Sequence, residues 1–357
     1  MGHPGHEDRG WGQMFMVGFR GQTLRANDWV VKDIEEFDLG GILLFDRNID
    51  GSVQNFDAPE KLKNLTSALQ SCCDSTLLVA VDQEGGAVCR LKPEDGFPAV
   101  CSAARMAAGG KAVVRRNAAL IAETLCACGV NFNFAPVVDL DLNPDNPIIG
   151  RYGRSFGSDV DVVVAMAEIF IEEHQRCGVG CCLKHFPGHG SAGWDSHKGF
   201  VDVTQCWQSD ELLPFQRLIG DGFRGGVMTG HLVHTLLEPN GRPATLSHAL
   251  LSDLLLGKLA FSGVVFSDDL QMRAITHGWS YKKAVQLAVL AGVDVLVIGN
   301  NISLQEDAVK EGIAAIEELL DQGLINGDRI EQSLQKIQEL KATITGILPW
   351  SSDQPIM

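Results

Sequence analysis

Eight short apolar runs punctuate the chain, and their spacing constrains the fold more than any single motif. They occupy residues 14–19, 42–45, 77–81, 131–138, 179–183, 226–229, 264–267 and 293–298. Each has the length of a strand. Stretches with apolar residues at helical spacing lie between most of them, at 113–128, 162–177, 209–219, 247–259 and 282–291. Strands alternating with helices build βαβ units and a parallel sheet. Eight such units in about 340 residues fit an α/β fold of the (β/α)8 TIM-barrel type, which spans roughly 200 to 400 residues. A doubly wound open sheet is the alternative topology. Beyond the last run, residues 302–342 read as two helices interrupted at Asn326-Gly327-Asp328, with Asp328 placed to cap the second. There is no linker, repeat or low-complexity block. One catalytic barrel domain is therefore expected over residues 1–347, and a loose tail over 348–357.

Charge and cysteine usage narrow the partners. The formal net charge is −16. An acidic chain gains no counterion release on nucleic acid, so no nucleic-acid partner is expected and small or neutral substrates fit better. None of the ten cysteines stands in a C-x-x-C pair, which argues against a thiolate zinc site. They read as reduced, buried thiols of a cytoplasmic protein. Residues 1–8 lack the apolar segment of a signal peptide. No apolar run reaches about 18 residues, so no membrane span is expected. Nothing in the chain specifies an oligomeric state.

Polar residues gather where the runs end: Arg47, Asp82, Asp139, Lys184-His185, His231, Asp268 and Asn300. Strand ends are where solvent begins, which explains any one of them. Seven such positions together point to one site assembled from separate loops. The densest stretch is Lys184-His185-Phe186-Pro187-Gly188-His189-Gly190, continuing to Asp195-Ser196-His197. Its proline and glycines break any helix, so a shaped loop is expected directly after a strand ending at Leu183. They also keep His185 and His189 off a common helix face despite their i, i+4 spacing, and no metal is expected. Asp195 and His197 point the same way if the segment is extended. A carboxylate beside an imidazole fixes its tautomer and favours its protonated form, which suits proton transfer near neutral pH. The plainer alternative is a structural Asp–His hydrogen bond.

Three further junctions carry candidate chemistry. In Ser267-Asp268-Asp269-Leu270, Asp268 offers a base, a metal ligand or a nucleophile, and one of the two aspartates is expected to cap the following helix. In Asp82-Gln83-Glu84-Gly85-Gly86, the glycines permit close backbone approach to a ligand. Arg154, in the glycine-rich loop 150–157, suits a sugar hydroxyl, a carboxylate or a surface salt bridge.

Together these segments resemble glycoside hydrolase family 3, in its single-domain β-N-acetylglucosaminidase (β-hexosaminidase) branch, known from bacterial peptidoglycan recycling. The resemblance runs from Gly12–Phe19 through Gly40–Phe45, Asp82–Gly86, Arg154–Gly157 and Lys184–His197 to Pro243–Ser247 and Ser267–Leu270. It implies a TIM barrel that needs no cofactor and takes a carbohydrate with a terminal non-reducing N-acetylglucosamine, from chitin oligosaccharides or muropeptides. It also implies residue roles. Asp268 matches the catalytic nucleophile, His197 the general acid/base and Asp195 its orienting partner. Asp82, Arg90, Arg154, Lys184 and His185 match sugar-binding positions. The implied reaction is a retaining exo-hydrolysis through a covalent aspartyl glycosyl-enzyme, with a histidine replacing one of the two usual carboxyl groups. Glu84 is the reserve candidate for the acid. Two segments depart from the family pattern: Ala87 stands where arginine usually follows Gly-Gly, and Lys198-Gly199-Phe200 follows the histidine. The competing readings are a β-N-acetylglucosaminide phosphorylase, substrate-assisted catalysis with Asp268-Asp269 as the polarising pair, and a non-catalytic sugar-binding barrel.

Overall fold

The computed structural model describes residues 10–194 and 199–345. Eight strands form one parallel sheet: β1 (Phe15–Gly18), β2 (Gly41–Leu43), β3 (Leu78–Val81), β4 (Phe132–Asn133), β5 (Gly180–Phe186), β6 (Gly226–Thr229), β7 (Val264–Phe266) and β8 (Leu296–Ile298). Neighbours in sequence are neighbours in the sheet from β1 to β7, and β8 pairs with β1, Phe15 standing opposite Leu296. A parallel bridge between Phe266 and Val295 joins β7 to β8. Ser267 Oγ adds to this seam by accepting the Val297 amide at 2.8 Å. The sheet therefore closes on itself as a (β/α)8 barrel, not an open doubly wound sheet.

Helices cover the outside: α1 (Trp29–Phe37), α2 (Pro59–Gln70), α3 (Lys111–Ala127), α4 (Val160–Arg176), α5 (Leu213–Gly220), α6 (Ala249–Lys258, wound as a π-helix), α7 (Tyr281–Ala291), α8 (Ala308–Asp321) and α9 (Gly327–Thr345). Their sequences explain where they start and which face they bury. Asp159 caps α4 by accepting the Val162 amide at 3.0 Å. Val163, Ala167, Phe170 and Ile171 of α4 are buried at the spacing of a single helix face. At α9 the cap is Asn326, whose Oδ1 accepts the Arg329 amide at 3.2 Å, and not the expected Asp328.

The barrel interior is packed. Phe132 on β4 and Phe134, just past its end, are two residues apart and so share a face. Their rings lie 5.1 and 5.6 Å from that of Phe266 on β7. Because β4 and β7 are not sheet neighbours, this contact crosses the barrel. Gly226 on β6 makes room for it: a Cβ there would stand 2.8 Å from the Phe266 ring.

Two sequence expectations need correction. Strand β5 runs three residues past Leu183, through Lys184, His185 and Phe186. Pairing continues on both sides of it, with the Val138 amide on the Lys184 carbonyl at 3.0 Å and the Gly230 amide on the Phe186 carbonyl at 2.7 Å. All ten cysteines are free, but only Cys89, Cys128, Cys181 and Cys182 are buried, and Cys206 is exposed. The tail expected over 348–357 lies outside the described residues. Among those that are described, no helix is long and apolar enough to cross a membrane.

Candidate active site

At the carboxyl ends of the strands a cavity of about 200 Å³ opens, with Phe134, Met228 and Val297 in its apolar lining. Asp82, Arg90, Arg154, Lys184, His185 and Asp268 also line it. One side is an unbroken ionic wall. Lys184 Nζ lies 2.8 Å from Asp82 Oδ1 and 2.8 Å from Glu84 Oε1. Arg154 grips Glu84 with both arms of its fork, Nε to Oε2 at 2.8 Å and Nη2 to Oε1 at 2.7 Å. The Arg90 guanidinium lies 3.4 Å from Asp82 Oδ2 and 5.1 Å above the centre of the Phe45 ring.

Burial and pairing compete over these charges, and pairing wins. Burial alone would raise both carboxyls. Lys184 and Arg90 nevertheless hold Asp82 well below the usual carboxylate range. Arg154 and Lys184 do the same for Glu84. Burial likewise opposes the Lys184 ammonium, but Asp82 and Glu84 raise it above the ordinary lysine range. Glu84 is thus an anion holding two cations, a setting that disfavours it as a proton donor.

Behind the wall, Asp139 organises the start of the β5 loop. Its Oδ2 accepts from His185 Nδ1 at 2.7 Å, and its Oδ1 accepts the amides of His185 and His189 at 3.1 and 2.9 Å. Arg154 can only donate, and its Nη2 lies 3.4 Å from His185 Nε2. That nitrogen therefore accepts, and Nδ1 carries the proton given to Asp139. The rings of His185 and His189 meet edge to face at 5.8 Å. Burial pushes His189 down to about 4, so it is neutral at neutral pH.

On the β7 loop the two aspartates divide. Asp269 Oδ1 accepts the amides of Gln271 and Gly299, each at 3.0 Å, and ties the loop to the end of β8. Neither aspartate caps a helix: the next helical turn, Arg273–Thr276, has Met272 at its cap position with no side-chain bond. Asp268 faces the cavity, its Oδ1 accepting the Asp269 amide at 2.8 Å. His231 supports the loop from below. Its Nε2 donates to the Asp269 carbonyl at 2.9 Å, so its Nδ1 accepts from the Thr245 hydroxyl at 2.8 Å. Thr229 then donates to Thr245 at 2.7 Å and accepts the Asp268 amide at 3.4 Å.

The matching family now joins this geometry. Residues 8–340 match the glycosyl hydrolase family 3 N terminal domain. The chain belongs to glycoside hydrolase family 3. It is similar to a protein named β-hexosaminidase from Alkalilimnicola ehrlichii, at 36% identity over 273 residues, covering 74% of each chain. A solved family 3 β-N-acetylglucosaminidase from a Paenibacillus species matches 98% of the present chain with a TM-score of 0.85 and 32% identity. The present chain spans 65% of that longer protein. A β-N-acetylhexosaminidase from Beutenbergia cavernae matches at a TM-score of 0.83 and 28% identity, over 95% of this chain and 99% of its own.

Within this family 3 barrel, six of the eight residues singled out from the sequence line one cavity: Asp82, Arg90, Arg154, Lys184, His185 and Asp268. Asp195 and His197 lie outside the described residues. Arg154 is not the surface salt bridge considered for it, being 8% exposed and clasped to Glu84. Sequence reasoning missed Asn146, Glu211 and Thr229. Thr245 stood inside the Pro243–Ser247 segment of the resemblance but carried no assigned role. Glu211 and Asn146 gave no local signal beyond being polar residues in connections.

Proposed function

We propose that the chain is a retaining exo-β-N-acetylglucosaminidase that removes a terminal non-reducing N-acetylglucosamine from chitin oligosaccharides or muropeptides. One observation carries the reading. Asp268 lines one cavity with Asp82, Arg90, Arg154, Lys184 and His185, which ion pairs and hydrogen bonds, several through Glu84 and Asp139, hold in place. Such a wall suits the hydroxyls of a single sugar, with cations donating and Asp82 accepting. Relatives named β-hexosaminidase support the choice of sugar. Asp268 attacks the anomeric carbon as the bond to the aglycone oxygen breaks, and His197 gives that oxygen its proton. Water, deprotonated by His197, then cleaves the aspartyl ester. Asp195 orients the imidazole and stabilises its protonated form. The commitment of Asp269 to backbone amides speaks against a paired Asp268-Asp269 role in polarising the acetamido group.

The test compares leaving groups. A general acid matters most when the aglycone is a poor leaving group. His197→Ala should lower kcat/KM far more on chitobiose than on an activated aryl N-acetylglucosaminide, because this ratio reports the first chemical step for both. Asp195→Ala should show the same trend more weakly, and Asp268→Ala should abolish turnover of both substrates. Equal losses for His197→Ala on the two substrates would remove it from proton transfer.

A further inference from the structure

The turn leaving β5 is held from behind by three buried side chains, none of which lines the cavity. Asp139 Oδ1 accepts the His189 amide at 2.9 Å. Asn146 Nδ2 donates to the carbonyls of His189 and Gly190 at 2.7 and 3.1 Å. Glu211 Oε2 accepts the amides of Gly190 and Ser191 at 2.8 and 3.3 Å, and its Oε1 accepts the Ser191 hydroxyl at 2.5 Å. The flanks are pinned as well. Trp207 Nε1 donates to the Pro187 carbonyl, and Asn143 Nδ2 to the Ala192 carbonyl, each at 3.2 Å. Gly190 lies so close to the β4 loop that a Cβ would stand 1.6 Å from the Leu140 carbonyl oxygen.

This is an unusual investment for a loop. Glu211 and Asn146 are completely buried. A buried carboxylate is costly unless donors saturate it, and among the described residues Glu211 meets that condition through this turn and the Gln208 amide at 3.3 Å. The clamp therefore forms only when the 187–192 backbone takes this one path. The path ends three residues before Asp195 and five before His197.

We infer that Glu211 is a positioning residue for proton transfer: by fixing the Gly190–Ser191 turn it sets the origin from which the Asp195–His197 pair is presented to the leaving group. The inference rests on the reading of His197 as the acid. Displacing a catalytic group by about an ångström costs on the order of a hundredfold in rate, so a clamp at the root of the segment has leverage on the chemistry.

Glu211→Gln tests it. The amide keeps the shape but turns an NH2 group toward N–H donors, so part of the clamp is lost. The kcat/KM on chitobiose should fall roughly ten- to a hundredfold, with a much smaller loss on the activated aryl glycoside and an unchanged KM for the latter. In a His197→Ala background the same substitution should cost nothing further on chitobiose, since residues acting as a unit are not additive. Ser191→Ala removes one of the clamp's hydrogen bonds and should shift the same ratio less; it carries the comparison if Glu211→Gln does not fold. Equal losses on both substrates, or additive losses in the double variant, overturn the inference. His197→Ala alone keeps the two readings apart. If it discriminates between the leaving groups and Glu211→Gln does not, the clamp fails while the acid stands.

Discussion

Two sets of buried acids in this barrel live in opposite electrical surroundings. At the mouth, Asp82 and Glu84 share Lys184, Arg90 and Arg154 and stay ionised well below neutral pH. On α1, Asp33 is 7% exposed, and its Oδ2 finds no hydrogen-bond partner among the described residues. Burial there, reinforced by Glu36 and Asp307, pushes Asp33 up to about 7. The two cases separate burial from compensation. A carboxylate taken out of water keeps its charge where cations or hydrogen-bond donors replace the solvent. The cavity wall supplies Lys184, Arg90 and Arg154 to its acids, as Arg329 and Lys336 are supplied to buried Asp294, whereas no ion pair reaches Asp33 among the described residues.

Removing a compensating cation gives the largest expected effect. Lys184→Met leaves buried Glu84 and half-buried Asp82 without their shared ammonium and should cost about 3–5 kcal/mol in urea unfolding. A loss under about 1 kcal/mol, the range of exposed ion pairs, would show the wall to be solvated and the comparison wrong. Glu84→Gln comes next. It should cost about 2–3 kcal/mol, since the amide keeps one acceptor for Arg154 or Lys184. Its activity should fall alike on chitobiose and on the aryl glycoside, because Glu84 holds the wall and gives no proton. A leaving-group-dependent loss would restore it as the acid.

Asp33→Asn should have the smallest effect and the opposite sign. Because the folded protein raises the Asp33 pKa, the stability this group contributes is complete below the usual carboxylate range and is lost as pH climbs toward about 7. The variant should thus match the parent near pH 4 and exceed it by about 1–2 kcal/mol at pH 8. Thermal unfolding at the two pH values checks this. A gain at the acid end only would mean that Asp33 is charged and compensated after all.

Much of the architecture was legible because the strand signal is local. Each apolar run became a barrel strand, but the run at 131–138 kept only Phe132–Asn133 as β4. Pro136 has no amide to give the ladder, and pairing resumes as a single bridge between Val137 and Lys184. The cavity was legible as polar residues at strand ends, since closure of the barrel brings those ends together whatever the intervening loops do. The partners were not legible. Arg154 meets Glu84 across 70 residues of sequence, and Glu211 meets Ser191 across 20. Such pairings depend on side-chain direction after closure, which no local periodicity encodes. Asp268 and Asp269 show the same limit within one dipeptide. Both line the cavity, and only the seam between β7 and β8, where the Gly299 amide donates to Asp269, commits one of the two carboxylates to the backbone.

That separation is the central claim, and covalent trapping tests it most directly. A 5-fluoro N-acetylglucosaminyl substrate that forms the glycosyl-enzyme faster than it hydrolyses should label the enzyme once. Peptide mapping should place the sugar on Asp268, and the turnover product should retain the anomeric configuration. A label on Asp269 or on another residue, or a product of inverted configuration, would contradict the account.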